Sequence, residues 1–372
     1  MGVAAATRRR HAVFHRLRVS RVDRLTDDAV AVTFAVPAEL AEDYRFRPGQ
    51  HLTVRCTLDG VEVRRNYSIC TSAVGGPLRV AVKRLAGGTF SAYAVESLAV
   101  GDELEVMTPT GTFTVPLDPG QARHYAAIAA GSGITPVLSI LSTVLDVEPE
   151  SRCTLLYGNR TSSSVLFLDE LADLKDRWPS RLQLVHVLSR ESPGVDLCHG
   201  RMDAERLPRL LAALLPPSTV DEWLLCGPAG LVRTAREVLA ASGVPARNVR
   251  FELFHAAEAE EQPRGAEPAV GGAALAGAPG SSEVTALLDG RATTFPLARD
   301  GERILDAVLR LRGDAPYACK GGVCGTCRAR LVEGRVEMAR GVALAEEEIA
   351  AGVVLTCQSH PASDRVVVDF DA

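Results

Sequence analysis

The run Cys319-Lys-Gly-Gly-Val-Cys324-Gly-Thr-Cys327 places three thiols in one loop, and a fourth follows in Leu355-Thr356-Cys357-Gln358. Four converging thiolates hold either a 2Fe-2S cluster or a single zinc ion. Zinc sites usually pair two short C-x2-C hooks, and Cys324 with Cys327 supplies only one of them. Here three thiols share a C-x4-C-x2-C loop and the fourth stands alone, which is the spacing of a 2Fe-2S centre. Gly321, Gly322 and Gly325 let the loop wrap closely and turn backbone N–H groups toward the sulfurs. The chemistry this implies is one-electron transfer, with structural zinc as the alternative.

Other segments suit a carrier of two electrons. Arg65-Asn66-Tyr67-Ser68 offers a guanidinium for a pyrophosphate, a phenol that can stack on a ring system and a hydroxyl beside it. It resembles the R-x-Y-S flavin motif of the ferredoxin-NADP reductase superfamily. Val82-Lys83-Arg84 and Gly87-Gly88-Thr89-Phe90-Ser91 resemble that superfamily's phosphate-cradling turn before a short helix, where backbone N–H groups approach an anion. The resemblance implies FAD rather than FMN, because a pyrophosphate has something to bind. It assigns FAD contacts to Arg65, Tyr67, Ser68, Val82, Lys83, Gly88, Phe90, Ser91 and Thr135, with Ser68 reaching the flavin atom that accepts hydride.

Gly131-Ser132-Gly133-Ile134-Thr135-Pro136 permits a tight turn with close approach to phosphate; Thr135 is expected to cap the following helix and Pro136 to sit in its first turn. Pro136 stands where G-x-G-x-x-G has its third glycine. Cys226-Gly227-Pro228 resembles the C-G-P of the same superfamily, which implies a thiol near the reacting nicotinamide carbon; taken alone, Cys226 reads as a buried packing residue. Two further strand ends, Tyr157-Gly158-Asn159-Arg160 and Leu188-Ser189-Arg190, bear on the choice of nucleotide. The first carries no acid to take a ribose hydroxyl, and Ser189-Arg190 resembles the pair that holds the 2′-phosphate in ferredoxin-NADP reductases. NADPH is expected, with NADH as the alternative. Ser68 and Cys226 are the expected catalytic residues.

These residues need three kinds of scaffold. Residues 13–117 alternate short Val/Ile/Thr/Leu runs with Gly/Pro/Asp turns, which predicts an antiparallel barrel for the flavin. Residues 122–255 read as strand, turn and helix in repetition, with one helix expected from Met202 to Leu215, which predicts a parallel sheet wrapped by helices for the nicotinamide. Residues 256–282 contain Ala, Gly or Pro at 17 of 27 positions and no aromatic, and are expected to be a linker. Residues 283–372 read as a hairpin turning at Asp289-Gly290, a helix over Ile304–Leu311 and a closing strand over 366–370. The flanked cysteine loop resembles plant-type ferredoxins, and that resemblance implies a β-grasp fold. A chain of 372 residues with 47% hydrophobic composition has apolar material for all three.

Composition excludes several classes. Forty-one Lys and Arg against 46 Asp and Glu give a net charge of −5, and no basic block suggests nucleic acid. The N-terminus has no apolar run of signal-peptide length, so a cytoplasmic location is expected. His124–Leu145 lacks charge, yet Gly131, Gly133 and Pro136 interrupt it, so no membrane association is expected. Glu252-Leu-Phe-His255 matches half of a paired Glu-x-x-His diiron motif and has no second copy, so oxygen chemistry belongs to a partner. His15, like His11, is expected at the surface.

A hydride carries two electrons and a 2Fe-2S cluster takes one, so a flavin between them can divide the pair. Reductases with a C-terminal plant-type ferredoxin domain supply oxygenases. Arg64-Arg65-Asn66-Tyr67-Ser68-Ile69-Cys70, Ala129–Val137 and Cys319–Arg328 most resemble the electron-transfer subunits of phenylacetyl-CoA epoxidases, which implies a multi-subunit diiron oxygenase as partner in phenylacetate degradation. The reductases of 3-ketosteroid 9α-hydroxylases share the domain order and are the alternative. A zinc-bearing nucleotide-binding module without redox activity is the alternative of another class.

Overall fold

The computed structural model describes residues 13–192, 194–254, 280–344 and 346–372. The expected linker up to residue 279, His11 and His255 lie outside the described residues. Two compact units result, one beginning at Phe14 and the other holding the C-terminal residues.

The first unit begins with six strands: β1 (Phe14–Thr26), β2 (Ala29–Ala35), β3 (His51–Leu58), β4 (Val61–Ser68), β5 (Arg79–Lys83) and β6 (Glu103–Met107). They pair antiparallel in the order β4-β3-β6-β1-β2-β5, and an Ile69–Val80 bridge joins the two edges into a barrel. Period-two burial drives this closure: Leu17 and Val19 point inward and are fully buried, while the alternating Arg16 and Arg18 stay exposed. The short helix α1 (Thr89–Glu96) covers one end through Phe90 and Ala94. His15 is half-buried rather than at the surface, because its Nδ1 lies 3.3 Å from the Tyr44 hydroxyl.

The same unit continues into β7 (His124–Ala130), β8 (Arg152–Asn159), β9 (Leu182–Leu188), β10 (Glu222–Pro228) and β11 (Val249–Phe254), all parallel in the order β11-β10-β7-β8-β9. Helices α2 (Ile134–Val147) and α3 (Leu168–Arg177) cover one face, where Tyr125, Ala127 and Leu224 are buried. Helices α4 (Arg206–Leu214) and α5 (Ala229–Ala241) cover the other over Ala126, Ile128 and Trp223. Two expected boundaries move. Thr135 does not cap α2: the helix starts at Ile134, and the Thr135 hydroxyl donates back to the Ser132 carbonyl at 3.0 Å. The helix expected from Met202 begins at Arg206, because the Asp203 carboxylate accepts the N–H groups of Glu205 and Arg206.

A polar clasp joins α2 to the barrel. Buried Ser139 donates to the Thr71 carbonyl at 2.6 Å, Thr143 accepts the Ala73 N–H at 2.9 Å, and Ser72 donates to Asp146 at 2.7 Å.

The second unit contains β12 (Ser281–Leu288), β13 (Arg291–Ala298), α6 (Ile304–Leu311), β14 (Arg328–Glu333), β15 (Val336–Met338), α7 (Glu346–Ala350), β16 (Val353–Leu355), β17 (Ser359–Pro361) and β18 (Arg365–Asp369). β12 and β13 form a hairpin whose turn residues Asp289 and Gly290 both have positive φ, at 55° and 66°. β18 inserts parallel to β12, giving the order β13-β12-β18-β14-β16, and α6 packs Ile304, Leu305 and Val308 onto the sheet. β12 starts at Ser281, inside the segment expected to be linker, because buried Ser282 pairs with Leu297 and accepts from Arg299.

His124 yields a pH prediction. Its ring is buried, Nδ1–H donates to the Thr219 carbonyl at 2.8 Å, and Nε2 accepts from the Thr154 hydroxyl at 2.9 Å. Burial pushes its pKa below the ordinary histidine value. As pH falls through about 6.5 the unfolded chain takes up this proton first, so stability is lost on acidification. Melting temperature is expected to fall between about pH 7.5 and about pH 5.5, and His124→Gln to flatten that slope.

Candidate functional site

The cysteine loop runs between α6 and β14. Lys320, Gly322 and Gly325 take left-handed φ values of 50°, 78° and 68°, which curl the chain around the thiols. At Gly322 a Cβ would lie 2.8 Å from the Gln358 side chain, so the loop has no room for one. The Thr356 N–H and hydroxyl both donate to the Cys327 carbonyl, at 3.1 and 2.8 Å, and Arg303 donates to the Cys357 carbonyl at 3.0 Å. These contacts bring the isolated fourth cysteine to the other three.

The thiols meet in two pairs, Cys319 with Cys324 and Cys327 with Cys357. Cys319 is drawn down to about 5, first by the Cys324 thiol donating to it and then by N–H groups of Val323, Gly321 and Cys324. Cys357 is drawn below the ordinary thiol value, first by Cys327 and then by Gln358, while the donors Cys324 and Cys327 are pushed up. Two thiol pairs, one for each iron, fit a two-iron cluster. The other five cysteines are free thiols, with Cys70, Cys153 and Cys226 buried.

On the barrel, Arg65 and Tyr67 lie two residues apart on β4 and share a face. Arg65 is exposed, and its neighbour Arg64 is instead buried against Glu62 and the Phe14 ring. The Tyr67 ring lies 5.5 Å from Phe90 at 35°, and burial raises its phenol above the ordinary range. Phe90 belongs to the barrel core, and the Ser91 hydroxyl is committed to its own turn, accepting from Leu85 N–H and donating to the Gly88 carbonyl. The side chain of Val82 is buried too, so Val82, Phe90 and Ser91 offer backbone rather than side chains to a ligand. Gly88 precedes α1, whose first-turn N–H groups have no acceptor within the helix. The Lys83 ammonium stands 3.4 Å from Asp28.

On the parallel sheet, the chain passes from β7 outward to β8 and β9, then returns to β10 on the other side of β7. That reversal opens a crevice at the carboxyl ends of β7 and β10, the usual ligand position in such sheets. The Gly131–Gly133 turn follows β7, and Cys226, Gly227 and Pro228 end β10. The Tyr157 hydroxyl donates to the Gly131 carbonyl at 2.9 Å and fixes the turn. A Cβ on Gly133 would lie 2.4 Å from the Cys226 carbonyl oxygen, so the two tips meet only because residue 133 has no side chain. Pro136 is buried in the first turn of α2, where its missing N–H costs nothing. At the next corner Arg190 N–H donates to the Arg160 carbonyl at 2.8 Å and Ser189 N–H to Asn159 at 2.9 Å, so both exposed arginines stand together. The nearby acid Glu191 is turned onto Ser162, accepting from its N–H and hydroxyl.

Sequence reasoning misses one group at the meeting of barrel and sheet. By pattern alone Glu252 is an ordinary member of the terminal strand. Its carboxylate accepts from the Ser68 hydroxyl at 3.2 Å, lies 3.7 Å from Nδ1 of buried His51, and its strand register pairs it with Cys226. Burial, then the Glu252 charge, raises the Cys226 thiol well above its ordinary value, so it stays protonated. The paired expectation of Ser68 and Cys226 at one site is thus linked through a third residue.

Three family models match the chain in succession: an oxidoreductase FAD-binding domain over residues 16–115, an oxidoreductase NAD-binding domain over 127–237 and a 2Fe-2S iron-sulfur cluster binding domain over 287–362. One of the subunits of 1,2-phenylacetyl-CoA epoxidase from Escherichia coli, that lettered E, is 47% identical over 359 residues, covering 96% of this chain and 98% of its own. The chain belongs to the flavin and iron-sulfur oxygenase reductases. The ferredoxin reductase component of 3-ketosteroid-9-alpha-monooxygenase from Rhodococcus rhodochrous is 34% identical over 95% of this chain and 96% of its own length. Among solved structures, phthalate dioxygenase reductase matches with 25% identity and a TM-score of 0.57, covering 96% of this chain and 98% of that one. The reductase is accordingly an NAD(P)H-dependent oxidoreductase that uses FAD, a 2Fe-2S cluster and a pyridine nucleotide. The zinc-module alternative is overturned by the cluster-binding match over residues 287–362. Among the described residues no helix is long and apolar enough to cross a membrane.

Two outcomes follow from this geometry. Cys357→Ser is expected to abolish the visible absorption and bound iron of the cluster while FAD content is unchanged. Glu252→Ala is expected to slow flavin reduction in stopped flow at least about tenfold, or ~1.4 kcal/mol, because Ser68 loses the carboxylate that orients its hydroxyl.

Proposed function

We propose that this reductase passes electrons from NADPH through FAD and the 2Fe-2S centre to a phenylacetyl-CoA epoxidase oxygenase. The observation that carries the choice of partner is the 47% identity with the epoxidase component of Escherichia coli over nearly the whole of both chains, against 34% with the ketosteroid component. When bound, FAD supplies the conversion from a two-electron hydride to the single electrons a 2Fe-2S cluster carries. The chain's own residues do the rest. Arg65 and the first turn of α1 bind phosphate, Tyr67 stacks, and Glu252 holds the Ser68 hydroxyl in one orientation. The Gly131–Gly133 turn and Cys226-Gly227-Pro228 bind and orient the nicotinamide half, and the protonated Cys226 thiol brings no charge to it.

Arg160 and Arg190, standing together while Glu191 is held by Ser162, support NADPH. Two guanidiniums match a 2′-phosphate, whereas a ribose hydroxyl would call for an acid. A cytoplasmic location suits both substrates.

The test is NADPH-driven turnover of phenylacetyl-CoA by purified epoxidase oxygenase subunits plus this protein, with a ketosteroid oxygenase as control. Coupled product with the first and none with the second is expected; the reverse result sinks the assignment. For the nucleotide, kcat/KM is expected to favour NADPH over NADH, and Arg190→Ala to weaken NADPH about tenfold or more, the loss of one charged hydrogen bond of about 1.5–3 kcal/mol. An NADH preference in the unaltered protein would reject NADPH.

A further inference from the structure

Gln358 directly follows the fourth cysteine and is fully buried. Its amide nitrogen lies 2.8 Å from the Lys320 carbonyl, 2.8 Å from the Cys357 carbonyl and 3.5 Å from the Cys357 sulfur. Lys320 is the residue of the loop that holds a left-handed φ without being glycine, and Gly322 lies directly over the Gln358 side chain. The other end of the amide is different: Oε1 is buried and has no hydrogen-bond partner among the described residues. Burying an amide with its carbonyl unpaired is costly, and an apolar side chain of similar length would fill this space without that cost. Packing alone therefore does not explain an amide at this position. Its donor end does, because every group it faces belongs to the cysteine loop or to the fourth cysteine.

We infer that Gln358 is a positioning residue for the iron-sulfur centre, pinning Lys320 in its strained conformation with one N–H and sharing the other between the Cys357 carbonyl and the Cys357 sulfur, so as to raise the centre's reduction potential. Reduction adds negative charge that the sulfurs share, and an N–H dipole aimed at a sulfur stabilises that state more than the oxidised one. The inference rests on Cys357 being a cluster ligand.

The test compares holoprotein with Gln358→Met, which keeps the length and removes the amide. Redox titration of the cluster, followed by visible absorption and electron paramagnetic resonance, is expected to give a more negative midpoint and altered g values at unchanged iron and FAD content. An iron-loaded Gln358→Met protein with an unchanged midpoint overturns the role of the amide and leaves the ligand assignment standing. Cluster retention in Cys357→Ser would instead overturn the ligand assignment and this inference with it. Should Gln358→Met fail to load iron, unaltered protein carrying glutamine labelled at its side-chain nitrogen decides the matter. Pulsed resonance of the reduced cluster should then show coupling to that nitrogen, and its absence refutes the contact.

Discussion

The Gly131–Gly133 turn and the tip of β10 approach so closely that any side chain at residue 133 would collide with the Cys226 carbonyl. Much of the first unit follows from that contact. It sets the width of the crevice at the reversal of strand order, the position at which such sheets take their ligands. It also fixes β10 relative to β7, and through β10 the neighbouring β11, whose Glu252 reaches across to Ser68 on the barrel. One missing methyl group on one side of the sheet therefore bears on the hydroxyl expected beside the flavin on the other.

The cysteine loop is governed by a different constraint. Four thiols must come together although one is remote in sequence, and hydrogen bonds to main-chain carbonyls do this while Cys327 and Cys357 pack into the unit's core. Thr356 donates twice to Cys327, and Arg303 holds the carbonyl of Cys357. Positive φ at Lys320, Gly322 and Gly325 then turns N–H groups inward. The outcome is two thiol pairs, one for each iron of a two-iron centre.

Much of this is legible in the residues. The barrel, the parallel sheet and the hairpin at Asp289-Gly290 follow from local signals: period-two burial, strand-helix alternation and a dipeptide suited to positive φ. The helix α6 over Ile304–Leu311 coincides with its expected span because its apolar face is regular. Boundaries shift where a side chain outweighs the pattern, as at Asp203, or where a threonine bonds backward instead of capping, as at Thr135. The site is legible wherever a motif is contiguous, as in Arg65–Ser68 or Cys319–Cys327. Glu252 is not, since its meaning comes from a strand neighbour and a barrel residue far away in the chain. Gln358 and Glu191 are hidden for the same reason: what matters is which distant backbone group each one meets.

The clasp between α2 and the barrel gives the two electron-entry modules an unequal relationship with the third. Ser139, Thr143 and Asp146 bond to main-chain and side-chain groups of residues 71–73, so either module taken alone would expose unsatisfied polar groups where the other now sits. The unit bearing the cysteine loop carries its own core around Val284, Ile304 and Val366. In the shuffling of genes, the iron-sulfur module can thus be gained, lost or moved as a self-contained cassette. The flavin and nucleotide modules travel together, and an exchange of one for a foreign counterpart succeeds only if it brings a matching polar face.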